Sequence, residues 1–368
     1  MDINTQKING GLLFLSMLVL AACGGGGGAD SGGGGGGATN IPRYAFVANS
    51  NDDSVSSYVA DADSGRLKYI GKAAAGSGPS SVSVDPSGKY AYVANVTGDN
   101  VSQYMIGASG DLAPMTPATV AAGTFPQSVS VDPSGKYAYV ANQGGNVSQY
   151  TIGTGGGLTA MAPATVAAGT NPQSVTIDPS GKYAYVANIG GNNVSQYTIG
   201  AGGGLAAMAP ATVAAGANPQ SVSVDPSGKY VYVANFSNVS QYTIGASGGL
   251  AAMVPATVGA GAILSSVTVD PSGKYAYVAN LGSNNVLQYA IGASGGLAAM
   301  APATVAAGTS PFSVSVDPSG KYAYVANSGG ASVSQYTIGA SGSLTAMVPA
   351  TVAAGNGPFS VTTTGTWQ

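Results

Sequence analysis

The sequence runs to 368 residues, of which 58 are glycine and only 7% are charged, against about a quarter in ordinary globular domains. All 14 acids are aspartate, glutamate and histidine are absent, and the net charge is −3, so general acid–base chemistry is short of its usual side chains. With arginine only at Arg43 and Arg66 there is no basic stripe to neutralise phosphates, and nucleic acid is not expected as a partner.

At the amino terminus, Lys7 precedes an apolar run at residues 11–20, GLLFLSMLVL, the organisation of an export signal. The run is too short to cross about 30 Å of hydrocarbon. It leads through Leu20, Ala21 and Ala22 into Cys23, and this tetrapeptide resembles the lipobox of bacterial lipoproteins. The resemblance implies a signal peptide over residues 1–22, lipidation of Cys23 and attachment to a membrane; Gly24, where an aspartate would mean retention at the inner membrane, favours the outer membrane of the cell envelope. Cys23 is the only cysteine, so no intrachain disulfide is expected. Residues 24–39, GGGGGADSGGGGGGAT, cannot bury apolar surface. They complete a lipidated tether over 23–39 that reaches about 22 Å as a flexible coil.

The rest of the chain, 40–368, is a repeat. A hexapeptide of the form Tyr-Ala-Tyr-Val-Ala-Asn begins at Tyr44, Tyr90, Tyr137, Tyr183, Tyr230, Tyr275 and Tyr322, giving seven units of about 46 residues. In the second unit the alternating Ser81-Val82-Ser83-Val84 reads as an inner strand, and Asp85-Pro86-Ser87-Gly88 has the residues of a type I turn. Tyr90 to Asn95 form the second strand, Val101-Ser102-Gln103-Tyr104 the third, and an outer strand starts at Leu112. Four short strands per unit in seven units is the pattern of an all-β, seven-bladed β-propeller with antiparallel four-stranded blades.

The first unit lacks an inner strand, and the Pro358-Phe359-Ser360-Val361-Thr362 segment has the inner-strand phase. The C-terminal strand is therefore expected to complete the first blade and close the ring, leaving no open edge there; a monomer is expected. The tyrosines read as packing: in the second strand Tyr90 and Tyr92 share one face and Ala91 and Val93 the other, so neighbouring blades can set large against small. The recurring Asp85/Lys89, Asp132/Lys136, Asp178/Lys182, Asp225/Lys229, Asp270/Lys274 and Asp317/Lys321 pairs read as aspartates capping their own turns beside solubilising lysines. Asp52, Asp53, Asp61 and Asp63 supply oxygen ligands but match no calcium-loop spacing; neither a metal nor a cofactor is expected.

The GKYAYVAN run, or its near variant, after an Asp-Pro-Ser turn, six times over, resembles the lactonase-type seven-bladed propellers and the related surface-layer repeat proteins named for a Tyr-Val-Thr-Asn motif. In lactonase-like members an Arg-His pair often follows the Pro that opens an inner strand and a Glu often follows the Asn that ends a second strand, and these groups are thought to face the substrate. Here those positions read Gln127-Ser128, Gln173-Ser174, Gln220-Ser221, Phe312-Ser313 and Phe359-Ser360, and the Asn is followed by Ser50, Val96, Gln143, Ile189, Phe236, Leu281 and Ser328. Lacking these groups, the chain is expected to be a non-enzymatic, envelope-anchored propeller that binds a glycan, polymer or protein or serves as display, with no catalytic residue; the alternative is a lactonase-family hydrolase, of the 6-phosphogluconolactonase-like fold, acting on a lactone.

Residues needed for packing recur in a repeat, whereas those chosen for a ligand need not. Just before the inner-strand serine the seven units read Ser80, Gln127, Gln173, Gln220, Ser265, Phe312 and Phe359. Three adjacent amides thus oppose two adjacent phenylalanines, with Phe125 and Phe236 in nearby loops, an arrangement suited to an uncharged sugar or an extended peptide. The plainer alternative is that the phenylalanines plug the channel mouth and the glutamines cap it.

Overall fold

The computed structural model describes residues 43–364; the expected signal peptide, Cys23 and the tether lie outside the described residues. Within them, 28 strands form seven separate four-stranded sheets, each antiparallel. The second blade shows the pattern: Pro79–Val84 innermost, then Tyr90–Asn95, Asn100–Ile106 and the longer outer Leu112–Ala121. The inner strand starts two residues before the alternation that marks it in the sequence.

The turn between the first two strands forms because Asp85 supplies the acceptors that the backbone lacks. Its Oδ1 accepts from the N–H groups of Lys89 at 2.9 Å and Tyr90 at 2.7 Å, and its Oδ2 from that of Ser87 at 3.0 Å. Gly88 closes the turn at φ +69°, a left-handed conformation that favours glycine. The same aspartate is buried in every blade from the second to the seventh, so these carboxylates are structural.

Ring closure is as the chain ends suggest. Pro358–Thr364 lies beside Arg43–Asn49, pairing Thr364 with Tyr44, Thr362 with Phe46 and Ser360 with Ala48. Arg43 adds a clamp to the seventh blade: its Nη1 is 3.0 Å from Asp317 Oδ2 and its guanidinium lies over the Tyr322 ring. Blade meets blade through large and small side chains, Tyr92 and Ala94 of the second packing on Val129, Ala138 and Val140 of the third. The buried tyrosine hydroxyls find partners across the same seams: Tyr92 donates to the Gly156 carbonyl at 2.6 Å and Tyr104 to that of Ala74 at 2.6 Å. Nearest the axis, the N–H of Val129 donates to Ser81 Oγ at 3.2 Å, and the equivalent bond recurs at all seven junctions as a closed belt.

One junction is weaker than the rest. Gln103 bridges the second blade to the third by accepting from the Leu158 N–H at 2.8 Å, as its counterparts do at five other seams. Between the first and second blades Ser57 holds the place of that glutamine and Phe46 the place of Tyr92, so both bonds are missing. Phe46→Tyr should let the new hydroxyl donate to the Gly110 carbonyl and stabilise the ring by about 1 kcal/mol in denaturant titrations. A loss of stability would mean that the buried Phe46 pocket has no room for the oxygen.

Candidate functional site

The strand directions give the ring two unlike faces. On the upper face the inner strands begin and the second strands end; on the lower face lie the Asp-Pro-Ser-Gly turns. At the upper end of each inner strand the ladder is interrupted. Pro79 pairs with Asn95 and Ser81 with Ala94, which leaves Ser80 with no opposite residue. The same bulge falls at Gln127, Gln173, Ser265, Phe312 and Phe359, while Gln220 immediately precedes its strand. A bulge takes one side chain out of the alternation and re-aims it. In this protein that side chain is the one that varies from blade to blade.

The seven residues behave differently. Ser80 and Ser265 are buried, their hydroxyls donating to the carbonyls of Gln127 at 2.9 Å and Pro311 at 3.0 Å in the next blade. The side-chain amides of Gln127, Gln173 and Gln220 are half-buried and make no hydrogen bond among the described residues. Phe312 and Phe359 are brought together, ring centroids 4.2 Å apart and inclined at 38°. They belong to the seventh and first blades, so the order of blades around the ring sets Gln173, on the fourth, across from them. Phe125 and Phe236 also lie on the upper face, 47% and 43% exposed, on loops of the third and fifth blades without ring contact to that pair.

Two features of this face are not legible in the repeats alone. The residue that leads into each inner strand, just before a Pro in six blades and before Leu264 in the sixth blade, has a left-handed backbone in every blade, supplied by Gly78 and Gly357 in two of them but by Phe125 at φ +53° and Ile263 at φ +59° in two others. A β-branched or bulky residue there is uncommon and costs roughly 1–2 kcal/mol. The second feature is electrostatic. Among the described residues, Asp52, Asp53 and Asp99 are exposed on upper loops, and every lysine and arginine except Lys72 lies toward the lower face. Lys72 Nζ is 3.6 Å from Asp52 Oδ2. Asp53 Oδ1 accepts from the Gly78 N–H at 2.8 Å and Asp99 Oδ1 from that of Phe125 at 2.7 Å. In other blades Asn192 and Asn284 make the same bond. Gly145 and Ala331 hold the same place in two further blades with no side-chain acceptor, so the fold calls for no negative charge at Asp53 or Asp99.

These features make a closed seven-bladed propeller with a repeated scaffold and, on its upper face, a residue beside each inner strand that varies from blade to blade. The family described as "Lactonase, 7-bladed beta-propeller" matches residues 39–121, 70–162 and 143–351, and the chain belongs to it. Among solved structures, a Bacteroides fragilis protein assigned as a 6-phosphogluconolactonase is similar at 21% identity, covering 89% of this chain and 99% of its own, with a TM-score of 0.78. The Pseudomonas aeruginosa periplasmic gluconolactonase is similar at 19% identity over 88% of this chain and 99% of its own, with a TM-score of 0.76. A search of curated proteins found no match.

These findings overturn the expectation of a non-enzymatic binding or display propeller. That expectation rested on the absence of an Arg-His pair and a Glu at fixed places. Such groups are one constellation grafted onto a scaffold, and the scaffold accepts others. On the upper face of this chain the exposed acids are Asp52, Asp53 and Asp99, on neighbouring loops of the first and second blades.

Proposed function

We propose that this protein hydrolyses lactones at the upper mouth of the propeller. The observation that carries the reading is the match to the lactonase family, which spans residues 39–351. In the reaction a water oxygen adds to the ring carbonyl carbon and the acyl C–O bond breaks. The leaving alkoxide takes a proton, and the product is an open hydroxy acid that ionises at neutral pH and releases one proton. A base must take the proton from water and donors must meet the developing oxyanion. Asp53 and Asp99 are the acids best placed for the first role, because their charge exceeds what the fold needs. The free amides of Gln127, Gln173 and Gln220 supply N–H donors for the second.

Proton release by the purified full chain, followed over a panel of sugar and alkyl lactones, should run well above the uncatalysed rate. Asp53→Asn and Asp99→Asn keep the loop acceptor, so whichever acid serves as base should lose roughly 10²- to 10⁴-fold in turnover on substitution while the melting temperature holds. No hydrolysis of any lactone in the panel would overturn the reading.

We also propose that the chain is carried to the cell envelope and held there through lipid on Cys23, a reading supported by the Leu-Ala-Ala-Cys tetrapeptide after an apolar run. Cys23→Ser should move the protein to the soluble fraction or leave a slower-migrating precursor. Unchanged fractionation and mobility would refute it.

A further inference from the structure

The chemistry of the mouth defines what kind of lactone it can hold. The six bulge residues and Gln220 all carry uncharged side chains, and the surrounding upper face presents three carboxylates, with its one lysine already beside Asp52. A phosphorylated substrate carries about two negative charges near neutral pH and calls for cationic donors. Here it would meet carboxylates instead.

What the mouth does offer is apolar surface. Phe312 and Phe359 lie in tilted contact and are only partly covered. Around the same face Phe125 and Ile263 keep exposed apolar side chains on a left-handed backbone that glycine adopts freely in two other blades. Packing does not account for that cost, since these side chains are 47% and 39% exposed; strain retained at such a position is a mark of function. Across the ring from the phenylalanine pair stand the unpartnered amides of Gln127, Gln173 and Gln220, suited to the ester oxygens and hydroxyls of a neutral ring.

We propose, resting on the lactonase reading above, that the substrate is an uncharged lactone bearing an apolar substituent, which lies on the Phe312–Phe359 pair while the amides of the opposite blades hold the polar ring. The two phenylalanines are then specificity-determining residues and do not take part in the bond-breaking step.

The test is a homologous series of γ- and δ-lactones with lengthening alkyl chains, run beside a sugar lactone and its phosphorylated counterpart. For the unaltered full chain, kcat/KM should rise about three- to fourfold per added methylene over the first few, as burial of a CH₂ in an apolar site requires, and the phosphorylated lactone should be the slowest. In Phe312→Ala with Phe359→Ala the dependence on chain length should flatten through KM, and Phe312→Leu with Phe359→Leu should restore it. The series on the unaltered protein decides the matter even if the alanine pair fails to fold. Hydrolysis that is indifferent to chain length, or that favours the phosphorylated lactone, overturns this inference and leaves the lactonase reading standing. No hydrolysis of any of these compounds overturns both.

Discussion

Deletion of residues 358–368 is expected to destabilise the ring by more than about 5 kcal/mol, which equals the whole net stability of many domains. The reason lies in what the segment touches. Its strand supplies the ladder on one side of Arg43–Asn49 and covers Ala45 and Val47, both fully buried. It also carries two of the seven links in the axial belt, Ser360 Oγ accepting from the Val82 N–H and the Val361 N–H donating to Ser313 Oγ. Each lost bond between buried partners costs about 1 kcal/mol or more, and the uncovered strand becomes a free edge able to pair with other chains. The truncated protein should elute as aggregate or melt without a cooperative transition. A melting temperature within a degree or two of the full chain would mean that the first blade is completed in some other way.

Much of this architecture is legible in the sequence because a repeat states its own packing rule seven times. The Tyr-Ala-Tyr-Val-Ala-Asn strand shows its two faces by alternation, and the missing inner strand of the first unit points to the chain end that supplies it. The bulges are not legible in this way. A bulge is a property of the register between two strands, and nothing in Pro79-Ser80-Ser81-Val82 taken alone says that Ser80 has no partner. The variable positions can thus be found by comparing repeats, while the reason they face the mouth requires the pairing.

The acids of the upper face were obscured for a related reason. In the sequence, Asp99 between Gly98 and Asn100 looks like any turn residue. Only the shared hydrogen bond, made by Asp53 and Asp99 in two blades and by Asn192 and Asn284 in others, shows that asparagine would satisfy the backbone and that the charge is surplus to folding. The mistaken expectation of a non-enzymatic module came from looking for particular residue types at aligned places. Loops of one face can present acids from several places, and the sequence does not show which loops those are until the blades are set in a ring.

Alkali should unfold the protein cooperatively from about pH 10 upward. Every blade from the second to the seventh buries at least two tyrosines, and the first buries Tyr44 and Tyr58. Burial pushes Tyr58, Tyr104, Tyr150, Tyr197, Tyr289 and Tyr336 up to about 12. It pushes Tyr92, Tyr139, Tyr185, Tyr232, Tyr277 and Tyr324 further still, with the nearby turn aspartate adding to the effect of desolvation. A tyrosine of the unfolded chain ionises near pH 10. The folded state therefore holds protons that the unfolded state releases, so the contribution is complete below pH 10 and is lost as the pH climbs toward the folded values. At pH 11 each such group gives up about 1.4 kcal/mol, and a handful of them suffices to exhaust a typical net stability. Tyrosinate absorbance and the β-sheet circular dichroism should change together in one steep transition between about pH 10 and 12. A sheet signal that stays intact to pH 12 while the tyrosines ionise one by one would mean that they are far more open to water than the blade packing allows.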